Sequence, residues 1–487
     1  MHIYCVQKSM IRRSLSLFVS SNSRARPLFP ACPTRFCARP ISSSVSIMAS
    51  EISPATSIAT PAPEPATAAP AYKPRYIDIG INLADPIFRG KHHGTQRHPD
   101  DLSAVVSRAQ EVGCTKLIVT GSDFTSSREA LEIAKQYPGT VYTTAGIHPC
   151  SSAIFSSANK HEDTDGHTMP CDPDPTAPIP EDHEPDHEKT QKIIADLRQL
   201  LEDAHKSTPG ALVAFGEFGL DYDRLHYCSR KIQLHSFAAQ LDLVLSLKPQ
   251  LPLFLHSRAA HADFVALLKD KFGDRLERLE RGGVVHSFTG TAEEMRELMD
   301  LGLYIGTNGC SFKTADNCAV VKEIHLDRLM LETDGPWCEV RPSHEGWRLL
   351  VEQTKKQQGL QELQLQQLSL SETTTPGTST PSSSVAATDI DDVVITTDGR
   401  VKRPSVQQQS QKKGKKPQKK EPEIPERWKT VKKEKWAEGA MIKGRNEPCM
   451  IERVSKIVAA IKEVSEEEVC EAAWKNTVQV FGLDESV

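Results

Sequence analysis

The stretch LMLETDGPW, residues 329–337, runs from an apolar segment into a turn through an acidic residue. Its first four residues are typical of a buried strand, and the pair Gly335-Pro336 is typical of a break. Asp334 therefore stands where the strand ends. An isolated aspartate at such a point more often caps the following helix or turn. What Asp334 does thus depends on which residues stand at the ends of the other strands.

Apolar runs alternate with amphipathic segments of helical length from Arg75 onwards. Eight runs are predicted as strands: 76–81, 116–120, 141–146, 212–216, 252–255, 283–285, 303–306 and 329–332. Repeated βα units of this kind bury a parallel sheet beneath their helices. The pattern predicts an α/β fold, a (β/α)8 TIM barrel.

The composition limits the class of protein. An apolar content of 38% is low for a wholly globular chain of 487 residues, so part of the chain is expected to be unfolded. The net charge of −5 excludes a global basic field, so any surface for nucleic acid must be local. The 12 cysteines form no CxxC pair, which favours a reducing compartment. No apolar run reaches the roughly 18 residues of a membrane span, and neither a membrane nor an obligate protein partner is indicated.

Residues 1–50 are predicted to be a presequence-like extension. They contain seven Lys or Arg and eleven Ser but no Asp or Glu, which is typical of a mitochondrial presequence. The alternative is a disordered extension ahead of a start at Met48, with a location in the nucleus or cytoplasm. Residues 51–74 are rich in Ala and Pro and are predicted to be a disordered linker.

The barrel domain, 75–487, is interrupted by two predicted insertions at about 156–188 and 355–427. The first is rich in Asp, Pro and His, and a solvated loop is favoured over a metal site because the spacing is irregular. The second is Gln-rich, then Ser/Thr/Pro-rich, then basic (QKKGKKPQKK, 411–420). Its composition predicts disorder. Its lysines either attract phosphate, form a nuclear address or are simply solvated.

Side chains that can bind a metal stand at the ends of five predicted strands. They are His148, Glu217 with Asp221 in the loop that follows it, His256, His286 and Asp334. Barrel enzymes carry their chemistry where strands give way to βα loops. One such histidine is more often structural, but burying so many of these groups unpaired is costly. The sequence therefore predicts a metal site at the mouth of the barrel.

The ligand types indicate the kind of ion. Imidazole and carboxylate suit divalent transition metals, with Zn, Mn or Co favoured and Mg compatible with carboxylates and water. The lack of cysteine ligands argues against a closed structural zinc site. An ion with open positions lowers the pKa of bound water. Asp334 would then bind the ion, accept the proton of the attacking water, or do both.

Six segments of the chain resemble the signature segments of the TatD family of metal-dependent deoxyribonucleases. They are GEFGLDYDR, FLHSRAAH, VVHSFTG, LYIGTNGCSFKT, LMLETDGPWC and GRNEPC. The opening YIDIGINLADPIFRG is similar to the eukaryotic branch in particular. The resemblance spans about 75–143, 189–351 and 428–482, with the two insertions as additions.

The resemblance implies a TIM barrel of the metal-dependent hydrolase type that holds one or two divalent cations (Mg, Mn or Zn). Glu217 would bridge two metal sites, with His256 and His286 completing one and Asp334 serving the other. The usual first strand of the family carries His-x-His, whereas this chain has Gly80-Ile81-Asn82. Asn82 offers only an amide oxygen, so the second site is predicted to be weak or filled only with substrate.

Three residues are predicted to bind substrate: His148, Arg258 and Lys313. Arg258 either holds a phosphate oxygen or pairs with Asp221 or Asp223. Lys313 either contacts phosphate or is solvated. In GRNEPC, Asn446 is predicted to be the N-cap of a helix, and Arg445 and Glu447 are expected to brace the mouth.

The favoured function is a metal-dependent deoxyribonuclease that hydrolyses single- or double-stranded DNA with a metal-activated water, using Asp334 and Glu217. One alternative is a barrel hydrolase acting on C–N or ester bonds. Many such hydrolases carry His-x-His and a modified lysine on strand four, and this chain has neither, which counts against that alternative. The other is a non-catalytic module that binds nucleic acid or protein. The complete set of Glu217, His256, His286 and Asp334 argues against that module.

Overall fold

The computed structural model of the chain describes residues 72–158, 178, 182–372 and 424–485. Its centre is a sheet of eight parallel strands that alternate with helices along the chain. The strands are β1 (Tyr76–Ile81), β2 (Cys114–Val119), β3 (Val141–Ala145), β4 (Leu212–Asp221), β5 (Leu253–Arg258), β6 (Gly283–Val285), β7 (Tyr304–Thr307) and β8 (Leu329–Leu331). The predicted (β/α)8 barrel is confirmed, and a strand is present at each predicted position.

Two strands run further than their sequence pattern indicated. β4 was predicted to stop at Gly216, but it continues to Asp221. Its extension pairs with the extension of β5, which reaches Arg258 opposite Asp221. The two longest additions to the predicted sheet therefore lie at the carboxyl ends of the strands.

The described residues form ten α-helices. They are α1 (Leu102–Glu111), α2 (Phe124–Gln136), α3 (His187–Ser207), α4 (Arg230–Ser246), α5 (His261–Phe272), α6 (Ala292–Asp300), α7 (Ala315–Glu323), α8 (Glu345–Glu372), α9 (Ile451–Lys462) and α10 (Glu466–Phe481). Side-chain caps fix several of their starts. Asp123, Thr291 and Ser465 each accept a hydrogen bond from the backbone N–H three residues on, at 2.7, 3.2 and 3.1 Å.

The barrel closes between its first and last strands. The strands follow one another around the sheet in chain order, from β1 to β8. Just beyond the end of β8, Asp334 N donates to Gly80 O at 2.7 Å and Asn82 N donates to Gly335 O at 2.8 Å. The turn that carries Asp334 is thereby hydrogen-bonded to the first strand.

The barrel interior is filled from the end at which the strands begin. A small apolar cluster joins strand residues such as Ile77, Ile79 and Phe254 to Trp474 and Phe481 of α10. In addition, Asn476 of α10 donates to the carbonyls of Leu326 and Leu329, both at 2.8 Å, where β8 starts. Since α10 covers this end, the opposite end holds the open mouth.

The structure moves the boundary of the second predicted insertion. Helix α8 continues to Glu372, well past position 355, so the expectation of disorder from 355 is wrong for 355–372. This segment is dominated by Gln, Leu, Glu and Lys, which all favour helix, and that preference outweighs the low apolar content from which disorder was predicted. The remainder of that insertion up to 423, including the lysine cluster, lies outside the described residues.

The ends of the first predicted insertion belong to the barrel. Ser156 forms a bridge with Pro185, Ser229 Oγ donates to Asp182 at 2.9 Å, and α3 begins at His187. Most of 159–181 lies outside the described residues, as do the presequence-like region and most of the linker, 1–71. Within the described part of the chain, no disulfide joins the cysteines and no helix is long and apolar enough to cross a membrane.

Candidate active site

Three buried side chains converge at the mouth of the barrel. Glu217 lies in β4, His256 in β5, and His286 directly after β6. Glu217 Oε1 lies 2.9 Å from His256 Nδ1 and 2.6 Å from His286 Nε2, and these two nitrogens are 3.3 Å apart. Because neighbouring parallel strands end at the same edge, residues far apart in sequence place three ligand atoms around one point. The structure thus brings together three of the predicted metal ligands.

The charges of this group are strongly coupled. Burial opposes ionisation of Glu217, but the charge of His286 and the hydrogen bond that His286 donates outweigh burial and hold the pKa of Glu217 well below its usual range. Burial also opposes charge on His286. The negative charges of Glu217 and Glu332, on either side of the ring, outweigh burial and raise the pKa of His286 well above its usual value. The centre therefore stabilises positive charge between its carboxylates.

Asp221 orients His256 from the other side of the imidazole ring. Asp221 Oδ2 lies 3.1 Å from His256 Nε2 and accepts a hydrogen bond from Arg224 Nη1 at 2.5 Å. Burial opposes the charge of Asp221, but His256 and Arg224 outweigh it and lower the pKa of Asp221 below its usual value. An ionised Asp221 holds the proton of His256 on Nε2 and leaves Nδ1 as the atom that faces Glu217. Carboxylates orient metal-binding histidines in this way.

His148 contributes a neutral imidazole next to Glu217. Its Nδ1 accepts a hydrogen bond from Cys150 N at 3.1 Å, so the ring proton is carried by Nε2, which lies 3.4 Å from Glu217 Oε1. Burial is the main cause that lowers the pKa of His148 to about 3. His148 is thus a hydrogen-bond donor in the cavity rather than a cation.

Asp334 lies in the same cavity, held by neighbours on three sides. Asn82 Nδ2 donates to Asp334 Oδ1 at 3.1 Å, while Cys338 Sγ and Ser287 Oγ lie 3.2 and 3.4 Å from Oδ2. The amide oxygen of Asn82 accepts a hydrogen bond from Thr120. Asn82 therefore directs its amide hydrogens at Asp334, and its oxygen, the predicted weak metal ligand, is directed at Thr120.

The predicted substrate-binding residues differ in their positions. His148 and Arg258 both line the cavity, and Arg258 stands opposite Asp221 in the register of β4 and β5. Arg258 also lowers the pKa of Asp221 electrostatically, behind the larger effects of burial, His256 and Arg224. Lys313 is exposed at the end of a short 3-10 helix (Gly309–Phe312), and it is not part of the cavity wall.

Two buried carboxylates of the site were missed by the sequence analysis. Glu332 Oε2 lies 3.3 Å from His286 Nδ1, and its Oε1 accepts a hydrogen bond from Ser287 N. A Cβ at Gly80 would overlap Glu332 Oε2, so the carboxylate fills the space into which a first-strand side chain would project. The signal was present in the sequence, because residues two apart in an extended chain share a face and Glu332 is two residues before Asp334.

Asp78 is the second missed carboxylate. It is fully buried in β1, where Thr333 N and Gly80 N donate to its Oδ1 at 2.9 and 3.2 Å. Burial raises the pKa of Asp78 to about 8, despite these hydrogen bonds. Since it lies within the apolar run YIDIGI, the sequence pattern marked it only as a strand residue.

The GRNEPC segment braces the mouth as predicted, but with a different role for Asn446. Arg445 makes two hydrogen bonds to Asp101 at 2.9 and 2.7 Å, and Glu447 accepts from Arg108 at 2.8 Å. Asn446 was predicted to be an N-cap, and this is wrong because Glu447 occupies that position. The Asn446 amide instead donates to the carbonyls of Thr333 and Trp337, both at 2.8 Å, and holds the loop after β8.

Comparison with known proteins assigns a family to this barrel. A sequence model of the family described as TatD related DNase matches residues 77–482. The chain belongs to the TatD family. It is 36% identical over 407 residues to the deoxyribonuclease Tat-D of Schizosaccharomyces pombe, and the match covers 84% of this chain and 96% of that protein. It is 34% identical over 264 residues to the 3'-5' ssDNA/RNA exonuclease TatD of Edwardsiella piscicida, covering 54% of this chain and 79% of that protein.

A solved structure agrees with this assignment to the TatD family. The crystal structure of an uncharacterized amidohydrolase from Saccharomyces cerevisiae has 29% sequence identity and a TM-score of 0.59, covering 84% of this chain and 100% of that one. Membership of the TatD family confirms the predicted resemblance, the barrel fold and a nuclease of the hydrolase class. The family is one of metal-dependent hydrolases, and the group formed by Glu217, His256 and His286 is the candidate site for the cation.

Proposed function

We propose that this chain is a metal-dependent deoxyribonuclease whose centre is formed by Glu217, His256 and His286. The observation that carries the proposal is the position of Glu217 Oε1 within 2.9 Å of one imidazole nitrogen and 2.6 Å of another, buried at the open end of the barrel. The names of the relatives, a deoxyribonuclease and an exonuclease of single-stranded DNA and RNA, support nucleic acid as the substrate.

The residues present fit a divalent cation. A carboxylate and two imidazoles are suitable ligands for Zn or Mn, and Mg is compatible when water completes the set. The charge state of the centre supports this, because Glu217 and Glu332 hold a proton on His286 that a cation at the same place would replace. When bound, the ion would lower the pKa of water and offset the negative charge of the phosphodiester.

The other cavity residues have complementary roles. Asp334 accepts the proton of the attacking water, and Asn82 holds its carboxylate in place. The Nε2–H of His148 and the guanidinium of Arg258 bind the non-bridging oxygens of the phosphate, since both line the cavity beside Glu217. Asp221 fixes the orientation of His256 and contacts no substrate.

The test is cleavage of labelled single- and double-stranded oligonucleotides with Mg²⁺, Mn²⁺ or chelator, beside a panel of amides and esters. Glu217→Gln keeps the size of the side chain but removes its charge, so metal content and cleavage should both collapse while the fold persists. The matched control is Glu202→Gln, an exposed glutamate of α3, which should behave as wild type. Wild-type turnover by Glu217→Gln at matched metal occupancy would remove Glu217 from the mechanism.

We also propose that the chain that starts at Met1 is sent to mitochondria, because residues 1–50 combine seven basic residues with eleven serines and no acid. Fusing residues 1–50 to a fluorescent protein tests this directly. A chain that starts at Met48 should lose mitochondrial import, and nuclear or cytoplasmic signal from both the fusion and the chain that starts at Met1 would contradict the proposal.

A further inference from the structure

A second cavity lies beside the active site and is lined by basic residues. The short helix Pro86–Arg89 separates the two cavities, because Pro86 lines the active site and Ile87 lines the second cavity. The charged residues along the wall of the second cavity are Lys432, Lys433, Lys443, Arg445 and Glu434, together with His92 and His93. Neither the catalytic roles described above nor the barrel core uses its three lysines.

A two-stranded parallel ribbon brings these lysines together. Thr430–Val431 pairs with Met441–Ile442, and Val431 stands opposite Ile442. The next position of each strand is a lysine, Lys432 after one and Lys443 after the other. Lys443 N donates to Val431 O at 2.8 Å and continues the pairing. Residues more than ten positions apart in sequence are thus fixed side by side, with Lys433 beginning the turn that follows.

The positive charge of the cavity is not balanced within it. Arg445 is neutralised by Asp101 and Glu447 in the buried network that also contains Arg108. That leaves three lysines facing one glutamate among the described residues of the wall. Burial and then the charge of Lys433 lower the pKa of His92 to about 4, so a neutral imidazole lies beneath the lysines. A cavity of this kind favours an anion.

The two cavities share their wall. Arg445 Nη1 donates to Ile87 O at 3.2 Å, and the adjacent Asn446 holds the carbonyls of Thr333 and Trp337, the loop that carries Asp334. The short helix Pro86–Arg89 and the dipeptide Arg445-Asn446 therefore connect the basic cavity to the active-site rim. Phosphates follow one another every few ångströms along a nucleic-acid strand, about 3.4 Å per step in a duplex. A strand that crosses this shared wall therefore carries phosphates past both cavities.

We propose that this basic cavity binds the phosphates of the same nucleic-acid strand whose scissile bond lies at Glu217, several nucleotides away from that bond. The inference rests on the proposed nuclease function and adds a direction to it, because the strand leaves the active site over Pro86–Arg89. The lysines bind the backbone without reading its sequence, as point charges do. The enzyme should therefore prefer strands long enough to span both cavities.

The test compares two triple variants of the full chain. One is Lys432→Gln/Lys433→Gln/Lys443→Gln. The control is Lys206→Gln/Lys248→Gln/Lys322→Gln, which removes equal charge from exposed lysines at or just beyond the carboxyl ends of α3, α4 and α7, at the covered end of the barrel. Binding of a labelled 20-nucleotide single strand is measured in chelator over a range of salt concentrations. In the first variant, the slope of log K against log salt concentration should become shallower by about 2, since each lost phosphate contact on a single strand contributes about 0.7. The same variant should bind on the order of 10- to 100-fold more weakly near 0.1 M salt.

Cleavage then separates this inference from the proposed function. With metal added, the wild type should cleave a 20-nucleotide strand with a higher kcat/KM than a 4-nucleotide strand, and the first variant should lose that preference through KM. Equal salt slopes and equal length preference in wild type and the first variant would overturn the inference. A wild type that cleaves neither strand would instead overturn the nuclease proposal. Inorganic phosphate is the remaining probe: if it perturbs the His92 resonances while the lysine substitutions leave oligonucleotide binding intact, the cavity holds free phosphate and the inference fails.

Discussion

His256 Nε2 lies 3.1 Å from Asp221 Oδ2, and this contact determines which nitrogen of the ring faces Glu217. Asp221 is itself fixed, since Arg224 donates to its carboxylate and Gln233 Oε1 accepts from its backbone N–H at 2.8 Å. The extension of β4 beyond Gly216 makes this possible by carrying Asp221 alongside β5. The same carboxylate thus links the end of the longest strand to the candidate metal centre.

Asp221→Asn should weaken the cation site without removing a ligand. An amide does not hold the His256 proton as a carboxylate does, so the affinity for metal should fall by roughly 10- to 100-fold. Competition with a chelator measures this, and excess metal should recover much of the lost activity. The control is Asp223→Asn, an exposed neighbour two residues on. Unchanged metal affinity in Asp221→Asn would leave Asp221 as a structural partner of Arg224.

Gly80→Ala should destabilise the barrel, because the new Cβ would overlap Glu332 Oε2 and displace a carboxylate that His286 and Ser287 hold. Overpacking of this kind typically costs about 1–3 kcal/mol of the free energy of unfolding. The matched control is Gly359→Ala in α8, where a Cβ meets nothing within 4 Å and helix propensity should stabilise the chain. Thermal unfolding checks both, and a Gly80→Ala melting temperature at or above wild type would contradict the described position of Glu332.

The sequence pattern predicted the barrel and most of its mouth, because alternating runs and strand-end histidines are local signals. It missed Glu332 and Asp78, since a buried carboxylate inside an apolar run has the same alternation as any strand residue. It also missed the pairing of Lys432 with Lys443, because the register of a two-residue ribbon is set by tertiary contacts. For α8, helix propensity outweighed a composition that predicted disorder.

The buried Asp78 should make stability fall as the pH rises. Its pKa is raised to about 8 in the folded chain by burial, against an unfolded value near 4. Between these values the folded state retains a proton that the unfolded state has released, so its contribution to stability is full below about pH 4 and is lost as the pH rises through about 8. Asp78→Asn should flatten the slope of the free energy of unfolding between pH 5 and 8, measured by denaturant titration. An unaltered slope would show that Asp78 is ionised in the folded chain.

Asp334→Asn should lower kcat by a large factor, roughly 10²–10⁴ for lost acid–base catalysis, since the amide cannot accept the proton of the attacking water. The matched control is Glu129→Gln, which removes one charge from an exposed residue of the same cavity wall. Asn82→Ala should give a smaller loss in kcat, because it frees the Asp334 carboxylate from its 3.1 Å hydrogen bond but keeps the group.

Metal stoichiometry by elemental analysis separates the two roles of Asp334. If Asp334 is the base, the Asp334→Asn variant should keep the cation held by Glu217, His256 and His286. If Asp334 is a ligand, the variant should lose one metal equivalent, and added Mn²⁺ should partly restore activity. Unaltered stoichiometry with unaltered single-turnover cleavage would reduce Asp334 to a carboxylate that merely caps the turn after β8.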